Sequence, residues 1–477
     1  MSGKSSYKKL FSNTLAMGLG QFSSKLLSFL LVPLYTAVLS TEQYGTYDLV
    51  VTTVTLLTPF LTLVISEAVM RFCMDKSCEP SHVLTVGCLC TVVGTGVLAA
   101  FYPLLCRIKT LGAYYSLWLI GFFFVINIHT VLTQFLKGIE RVKFYSVCGI
   151  ISTFLALTMN LLFLLVFKWS ITGYFLASIL SHLFVVIIIA FGIRIHRYLV
   201  NPFAVPKDVY RQMFKFSVPM IPNSISWWVS NSSCKYMLLY FSSASVVGIF
   251  SIAYKIPSIL TIVITIFISA FQISIFENFG TPEAEQFFKK IYSAFVSLNV
   301  VVASGLIVFA KLLARILYQK DFFSAWQVSC VLIFAFVFNS LAALLGTVYS
   351  ASKKTRFLFI STVIGAGMNI LLNFVMIPWL GMHGAVIASL ASYIVIWLLR
   401  LINVKRRFGY SFDILISFIS FVLITVQIAL MYLDTLWAIL GAAGLFLIVF
   451  AINVKQMLKS DSVRRILLKF TKKNKVI

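Results

Sequence analysis

Apolar residues in this chain do not alternate with polar ones. They run on for twenty or more positions and are broken by short polar segments. A helix needs about 20 apolar residues to cross a bilayer core, so such runs predict membrane spans rather than half-buried strands. The runs place about fourteen helices, near 12–38, 45–70, 83–106, 113–136, 145–167, 172–193, 215–240, 247–275, 290–310, 325–350, 357–377, 382–400, 413–432 and 435–453. The stretch 357–399 contains no Lys, Arg, Asp or Glu, and Pro378 and Gly381 divide it into two helices. The predicted class is an all-α integral membrane protein.

The helices fall into a repeat. Ser40, Tyr44, Gly45 and Tyr47 after the first helix match Ser243, Val247, Gly248 and Phe250 after the seventh. Met159-Asn160, Gly173, Ala177-Ser178 and Ser181 match Met368-Asn369, Gly384, Ala388-Ser389 and Ser392 at nearly the same offset. The blocks keep their order, which predicts two pseudo-symmetric six-helix lobes, residues 1–200 and 201–410. An additional helix pair at 411–454 and a basic tail at 455–477 follow. An even number of helices per lobe makes the halves parallel repeats, an arrangement suited to rocking motions.

Composition agrees with the pattern. Of the 477 residues 60% are hydrophobic and 11% charged, less than half the charge of a soluble domain. Lys and Arg number 39 against 14 Asp and Glu, giving a net charge of +25. The basic residues sit in short clusters between apolar runs. That distribution fits loops on anionic lipid headgroups and argues against nucleic acid. With the N-terminus in the cytoplasm, most Lys and Arg fall in cytoplasmic loops, which predicts that both termini are cytoplasmic. The basic segment from Lys455 serves either as an amphipathic surface helix or as a topology anchor. Lys4, Lys8 and Lys9 precede an apolar stretch too long for a signal peptide.

Charges inside spans each need a reason, because burying one in lipid costs at least about 2.5 kcal/mol. Lys25 lies mid-helix on a face shared with Thr14, Gly18, Gln21 and Ser28. Such a stripe faces either a wet cavity, where it attracts anions, or a salt-bridge partner. Lys235, with Asn231 one turn before it, and Lys255, just before Pro257, either serve the same cavity or snorkel to an interface. Asp48 and Glu67 are the acids within spans. Asp48 is either interfacial or a coupling group. Glu67 either pairs with Arg71 one turn on, or titrates and couples ion movement. His129 and His182 are expected to be packing residues rather than proton relays. Pro33, Pro59 and Pro257 are possible kinks.

Other chemistry is sparse. The eight cysteines form no zinc spacing and read as small apolar fillers. Gly3-Lys4-Ser5 lacks the glycine-rich loop of a nucleotide site, and no hydrolase motif occurs. Asn231-Ser232-Ser233 matches a glycosylation acceptor but falls inside a span. No catalytic residue, cofactor or metal is expected.

Phe11-Ser12-Asn13-Thr14, Leu31-Val32-Pro33-Leu34-Tyr35-Thr36, Leu39-Ser40, Tyr44-Gly45 and Arg71-Phe72 resemble the opening of polysaccharide transporters. These belong to the multidrug/oligosaccharidyl-lipid/polysaccharide exporter superfamily, and the most similar branch is the Wzx-type O-antigen flippases. Phe216-Ser217-Val218-Pro219, Lys235 and Val247 through Lys255 are similar to that family's seventh and eighth helices. The resemblance implies two lobes forming a V around a cationic cavity. It implies transfer of an undecaprenyl-diphosphate-linked repeat unit across a bacterial inner membrane, from the cytoplasmic to the periplasmic leaflet. It assigns head-group contacts to Lys25 and Lys255, with Lys235 and Arg71 behind them, and expects a polysaccharide polymerase and chain-length machinery as partners. One departure stands out: Cys234 occupies the place of the acid that usually precedes the helix 7 base. The alternatives are a multidrug exporter or peptidoglycan-precursor flippase of the same superfamily, and, further off, a membrane polymerase or glycosyltransferase.

Overall fold

The computed structural model describes residues 29–75, 78–107, 112–278, 284–352, 356–412 and 414–458. Among them every regular element is a helix. Eleven helices are long and apolar enough to cross a membrane, or twelve if one bent pair is a single span. The first expected span lies mostly outside the described residues. The expected seventh is Ile221–Phe241, whose serines and asparagines make it too polar to count among the eleven.

The chain divides into two compact units, Met1–Ser232 and Ser233–Ile477. The described part of the first begins with α1 (Val32–Val38), α2 (Thr41–Leu61), α3 (Ile65–Met74), α4 (Pro80–Ala100) and α5 (Gly112–Gly138). Then come α6 (Val142–Leu161), whose last turn widens into a π-helix over Leu162–Val166, α7 (Ser170–Ile193) and α8 (Lys207–Ser217). The unit boundary falls inside α9 (Ile221–Phe241). The cause is local. Helix α8 buries Val209, Met213 and Ser217 against α3 and leaves Lys207, Arg211 and Lys215 exposed one turn apart. Trp228 Nε1 donates to the Thr52 carbonyl at 3.1 Å, so the start of α9 packs with the first unit as well. Helix α9 begins only after the turn around Pro219, so Lys215 belongs to the surface helix and not to the predicted span 215–240.

The expected single helix 45–70 is broken. Helices α2 and α3 meet at 59°, and Leu63 and Val64 at the corner have φ of 55° and 54°. Left-handed backbone at a β-branched residue costs on the order of 1–3 kcal/mol and persists only where packing enforces it. Pro59 removes a helical donor just before the corner. Gly94 of α4 supplies the room: a Cβ there would lie 2.3 Å from the Leu61 carbonyl oxygen. Beyond the corner α3 is held at the centre of an apolar cluster. Ile65, Ala68 and Val69 pack with Leu84, Leu132, Phe135 and Ile189. A second cluster, with Val50, Val54, Phe122, Phe123 and Phe175, surrounds α2.

The second unit holds α10 (Ala244–Ala253), α11 (Lys255–Asn278), α12 (Ala284–Leu317), α13 (Ala325–Ala351), α14 (Arg356–Leu380) and α15 (Met382–Phe408). The added pair, α16 (Ile414–Leu433) and α17 (Leu436–Leu458), closes it. Helix α13 is apolar all round and buried nearly throughout, as a central helix must be.

The sequence repeat has a physical basis in each unit. Ser40 caps α2 by accepting from Gln43 N at 3.1 Å, and Ser243 caps α10 by accepting from Val246 N at 3.4 Å. A Cβ at Gly173 would lie 3.1 Å from the Phe163 carbonyl oxygen, and one at Gly384 would lie 2.4 Å from that of Met376. Both glycines thus let two helices touch backbone to backbone. Asn160 and Asn369 are both buried.

Candidate functional site

The predicted polar residues sort into three places. Lys25 and Gln21 lie outside the described residues. Asp48, Glu67, Arg71 and Asn231 belong to the first unit, and Lys235 and Lys255 to the second.

Asp48 is half-buried on α2, beside a cluster of tyrosines from α1, α2 and α7. Tyr47 stacks on Tyr174 with ring centroids 3.8 Å apart, and Tyr35 lies 4.4 Å from Tyr174. The Tyr47 hydroxyl bonds to Ser178 Oγ at 2.7 Å. Tyr35, Tyr44 and Tyr174 are each buried, so this cluster fixes α1, α2 and α7 to one another.

Glu67 does not pair with Arg71. The bend turns α3 so that Glu67 faces α5, where Gln134 Nε2 donates to its Oε1 at 3.1 Å. Gln134 Oε1 in turn accepts from Lys137 Nζ at 3.1 Å, and that ammonium sits 4.5 Å from the centre of the Tyr145 ring. Carboxylate, amide, ammonium and aromatic face thus form one line across α3, α5 and α6. Arg71, one turn past Glu67, donates instead to Asp75 Oδ2 at 2.8 Å, and both side chains are about half exposed. Ion pairs in such exposed settings contribute at most about 1 kcal/mol.

Asn231 is exposed and closes onto its own helix, donating from Nδ2 to the Trp227 carbonyl at 2.8 Å. Lys235 is half-buried on the same helix. Lys255 lies within one span, Ala244–Ile262, just past a one-residue interruption at Tyr254. It opens α11 at a break after Ala253, one residue beyond Tyr254, where Pro257 occupies the first turn. Tyr254 interacts with the side chains of Cys234 and Ser389. Each of the first two is the chain neighbour of a predicted lysine, so this contact holds Lys235 and Lys255 on adjoining elements. The cysteine found where an acid was expected is therefore a buried contact for a tyrosine hydroxyl. All eight cysteines are free thiols.

Sequence reasoning missed Arg400. It closes the predicted span 382–400 after an uncharged run, yet it lies well inside α15 and is 4% exposed. Its guanidinium donates to Ser361 Oγ at 2.9 Å, the Ala342 carbonyl at 2.8 Å, Thr362 Oγ1 at 2.8 Å and the Leu358 carbonyl at 3.4 Å. One side chain thus ties together α13, α14 and α15. The available signal was the adjacent pair Ser361-Thr362 in a mostly apolar helix. Buried amides do the same for the added helices. Gln427 Nε2 donates to the carbonyls of Ser304 and Ala442, and its Oε1 accepts from Ser304 Oγ at 2.8 Å. Asn453 Nδ2 donates to Ser420 Oγ at 2.9 Å. Lys311 on α12 pairs with Asp434 at the corner between α16 and α17.

Among the described residues no group of three or more His, Cys, Asp or Glu could hold a metal ion. What the arrangement offers is cations and amides carried on apolar helices, where polar groups must be satisfied within the protein.

Comparison with known proteins gives three kinds of result. A family model described as "Polysaccharide biosynthesis protein" matches residues 10–273. A search of curated proteins returned no match. Among solved structures, the lipid II flippase MurJ in an inward closed conformation superposes with a TM-score of 0.71 at 13% identity, over 94% of this chain and 99% of that one. A multidrug resistance MATE family transporter of the MOP superfamily matches in its inward-facing conformation with a TM-score of 0.67 at 14% identity, over 81% of this chain and 96% of that one. An outward-facing MATE structure gives 0.60 at 13% identity, over 83% and 94%. At such identities the likeness establishes the fold alone.

Proposed function

Because the chain belongs to the polysaccharide biosynthesis protein family, we propose that it is a flippase. It would carry an undecaprenyl-diphosphate-linked oligosaccharide repeat unit, of O-antigen or capsular type, from the cytoplasmic to the periplasmic leaflet by alternating access. The family match carries this reading. It runs from the predicted first span through the broken helix and into α11, and so takes in Lys25, Glu67, Lys235 and Lys255. The superfamily fold, found in both inward- and outward-facing neighbours, supports a transporter that works by changing access.

In this reading the lysines attract the diphosphate, the sugars stay in water and the polyprenyl tail stays in lipid. A phosphate oxygen carries concentrated charge that an ammonium in a low-dielectric setting binds strongly. Transport makes and breaks no bond, so the protein needs no catalytic residue. The residues assigned to the head group are Lys25, Lys235 and Lys255. Arg71, neutralised by Asp75, is the weakest of the four expected from sequence.

The test is deletion followed by location of the lipid-linked repeat unit. Its build-up on the cytoplasmic leaflet supports the reading, and an unchanged distribution overturns it. Lys25→Ala should stop transfer while leaving membrane insertion intact. A second reading, transfer of a peptidoglycan precursor, is favoured by the superposition on the lipid II flippase. It predicts that deletion is lethal, whereas loss of a surface-glycan flippase leaves cells viable.

A further inference from the structure

The connection between α7 and α9 holds one aromatic ring clear of the protein. Phe203 is 98% exposed, in a short turn over Pro202–Ala204. The turn beneath it is built from within the first unit. The amides of Phe203 and Ala204 both donate to Asn201, to Oδ1 at 3.0 Å and to the carbonyl at 2.9 Å. The Tyr210 hydroxyl donates to the Pro202 carbonyl at 3.0 Å, and the Val200 amide donates to Thr85 Oγ1 on α4 at 3.1 Å. Tyr198 sets its ring edge-on to Phe135, 5.3 Å away, and Val205 is buried in the cluster around α3. A ring presented on a turn this well tied is already ordered, so docking it costs little backbone entropy.

Cations flank that ring in the chain. Arg194, Arg197, Lys207, Arg211 and Lys215 are all exposed, and Asp208 is the one acid from Arg194 to Lys215. Among the described residues none of the five has an ion-pair partner. Lys207, Arg211 and Lys215 recur every four residues and so share one side of α8. Val209 and Met213 occupy the opposite side and are buried in the cluster around α3. Helix α8 therefore has no apolar face left for a partner, and the free apolar group is Phe203. The span α7 ends at Ile193, with Phe191 exposed in its last turn. The chain leaves the bilayer there, which starts this segment at the level of the lipid headgroups.

We propose that this connection is a docking surface for anionic phospholipid. The Phe203 ring inserts among acyl chains, while Arg197, Lys207, Arg211 and Lys215 hold headgroup phosphates. The proposal is independent of what the protein transports. Charge complementarity and position select the occupant. An anionic leaflet offers phosphate where α7 leaves the membrane and hydrocarbon just beneath it. Long basic side chains reach the first while an aromatic ring reaches the second. An acidic protein face would supply the charge without the hydrocarbon. Basic clusters beside a span are drawn to anionic leaflets, and salt screens that attraction. Through Val209 and Met213, α8 passes this hold to the segment beyond the helix bend.

The experiment uses the full-length protein in nanodiscs of phosphatidylcholine, alone or mixed with phosphatidylglycerol. Phe203→Cys carries a nitroxide, and wild type labelled in parallel corrects for the native thiols. Oxygen, which partitions into hydrocarbon, and a water-soluble nickel chelate are compared as relaxation agents. With phosphatidylglycerol present the nitroxide should respond more to oxygen and less to nickel than in phosphatidylcholine alone. Added salt should abolish that shift, and so should Lys207→Gln/Arg211→Gln/Lys215→Gln. Lys207→Arg/Lys215→Arg keeps the charge and should keep the shift. The salt arm leaves the three cations in place, so it decides even where the triple variant does not fold. A nitroxide that responds identically in the two lipids overturns the proposal. One shielded from both agents also overturns it and marks a protein contact instead. The ring itself is tested without a label: in native mass spectrometry, wild type should retain more phosphatidylglycerol than Phe203→Ser, and equal retention overturns the proposal.

Discussion

Glu67 on the short segment after the helix break accepts from Gln134 on an unbroken helix, and not from Arg71 one turn away on its own. The 59° bend at Leu63 and Val64 creates this relationship by turning the carboxylate toward α5. A hydrogen bond to a charged group away from water contributes on the order of 1.5–3 kcal/mol. Gln134→Leu should therefore lower the thermal stability of detergent-purified protein by that much. Arg71→Ala, which removes only an exposed pair, should change it by less than about 0.5 kcal/mol. Equal losses in the two variants would show that Glu67 and Arg71 pair after all.

The corner itself depends on a missing side chain. Gly94→Ala would drive a Cβ into the Leu61 carbonyl, and backbone cannot yield as a side-chain tip can. A loss on the order of 1–3 kcal/mol is expected. Gly96→Ala on the same helix meets nothing within 4 Å and serves as the control. It should be neutral or slightly stabilising, because alanine favours helix over glycine. Denaturation curves of the two variants check the contrast.

Arg400 holds three helices by donating from its buried guanidinium to the hydroxyls of Ser361 and Thr362 and to the Ala342 carbonyl. Arg400→Met should lower stability on the order of 3 kcal/mol. Arg400→Lys should recover less than half of that loss, since one ammonium cannot reach acceptors on both sides of a planar fork. Full recovery by lysine, measured by unfolding in detergent, would mean that charge rather than geometry matters here.

The added helix pair is predicted to dock through buried amides more than through apolar contact, because lipid tails compete equally for apolar faces. Gln427→Leu should weaken the docking of α16 by about 1 kcal/mol. Ser304→Ala in the Gln427→Leu background should cost little more, because the two side chains share one bond. A double-mutant cycle read by proteolysis of α16 and α17 measures that coupling.

The hydrophobic pattern by itself determined the class, the placement of most spans and the repeat. Lipid admits only helices whose backbone groups are satisfied internally, so run length translates almost directly into span. The repeat was legible for the same reason: Gly173 and Gly384, or Ser40 and Ser243, answer local needs for close approach or a cap that recur wherever the geometry recurs. Partner choice was not legible. Sequence spacing paired Glu67 with Arg71, left Arg400 as the last residue of a span and left His129 and His182 as separate packing residues. The structure pairs Glu67 with Gln134, buries Arg400 among three helices and sets the two imidazoles face to edge. A polar side chain in an apolar helix must find a partner, but which helix supplies it depends on the bends and rotations that packing selects. Those are set by contacts between residues remote in the chain, and no local pattern records them.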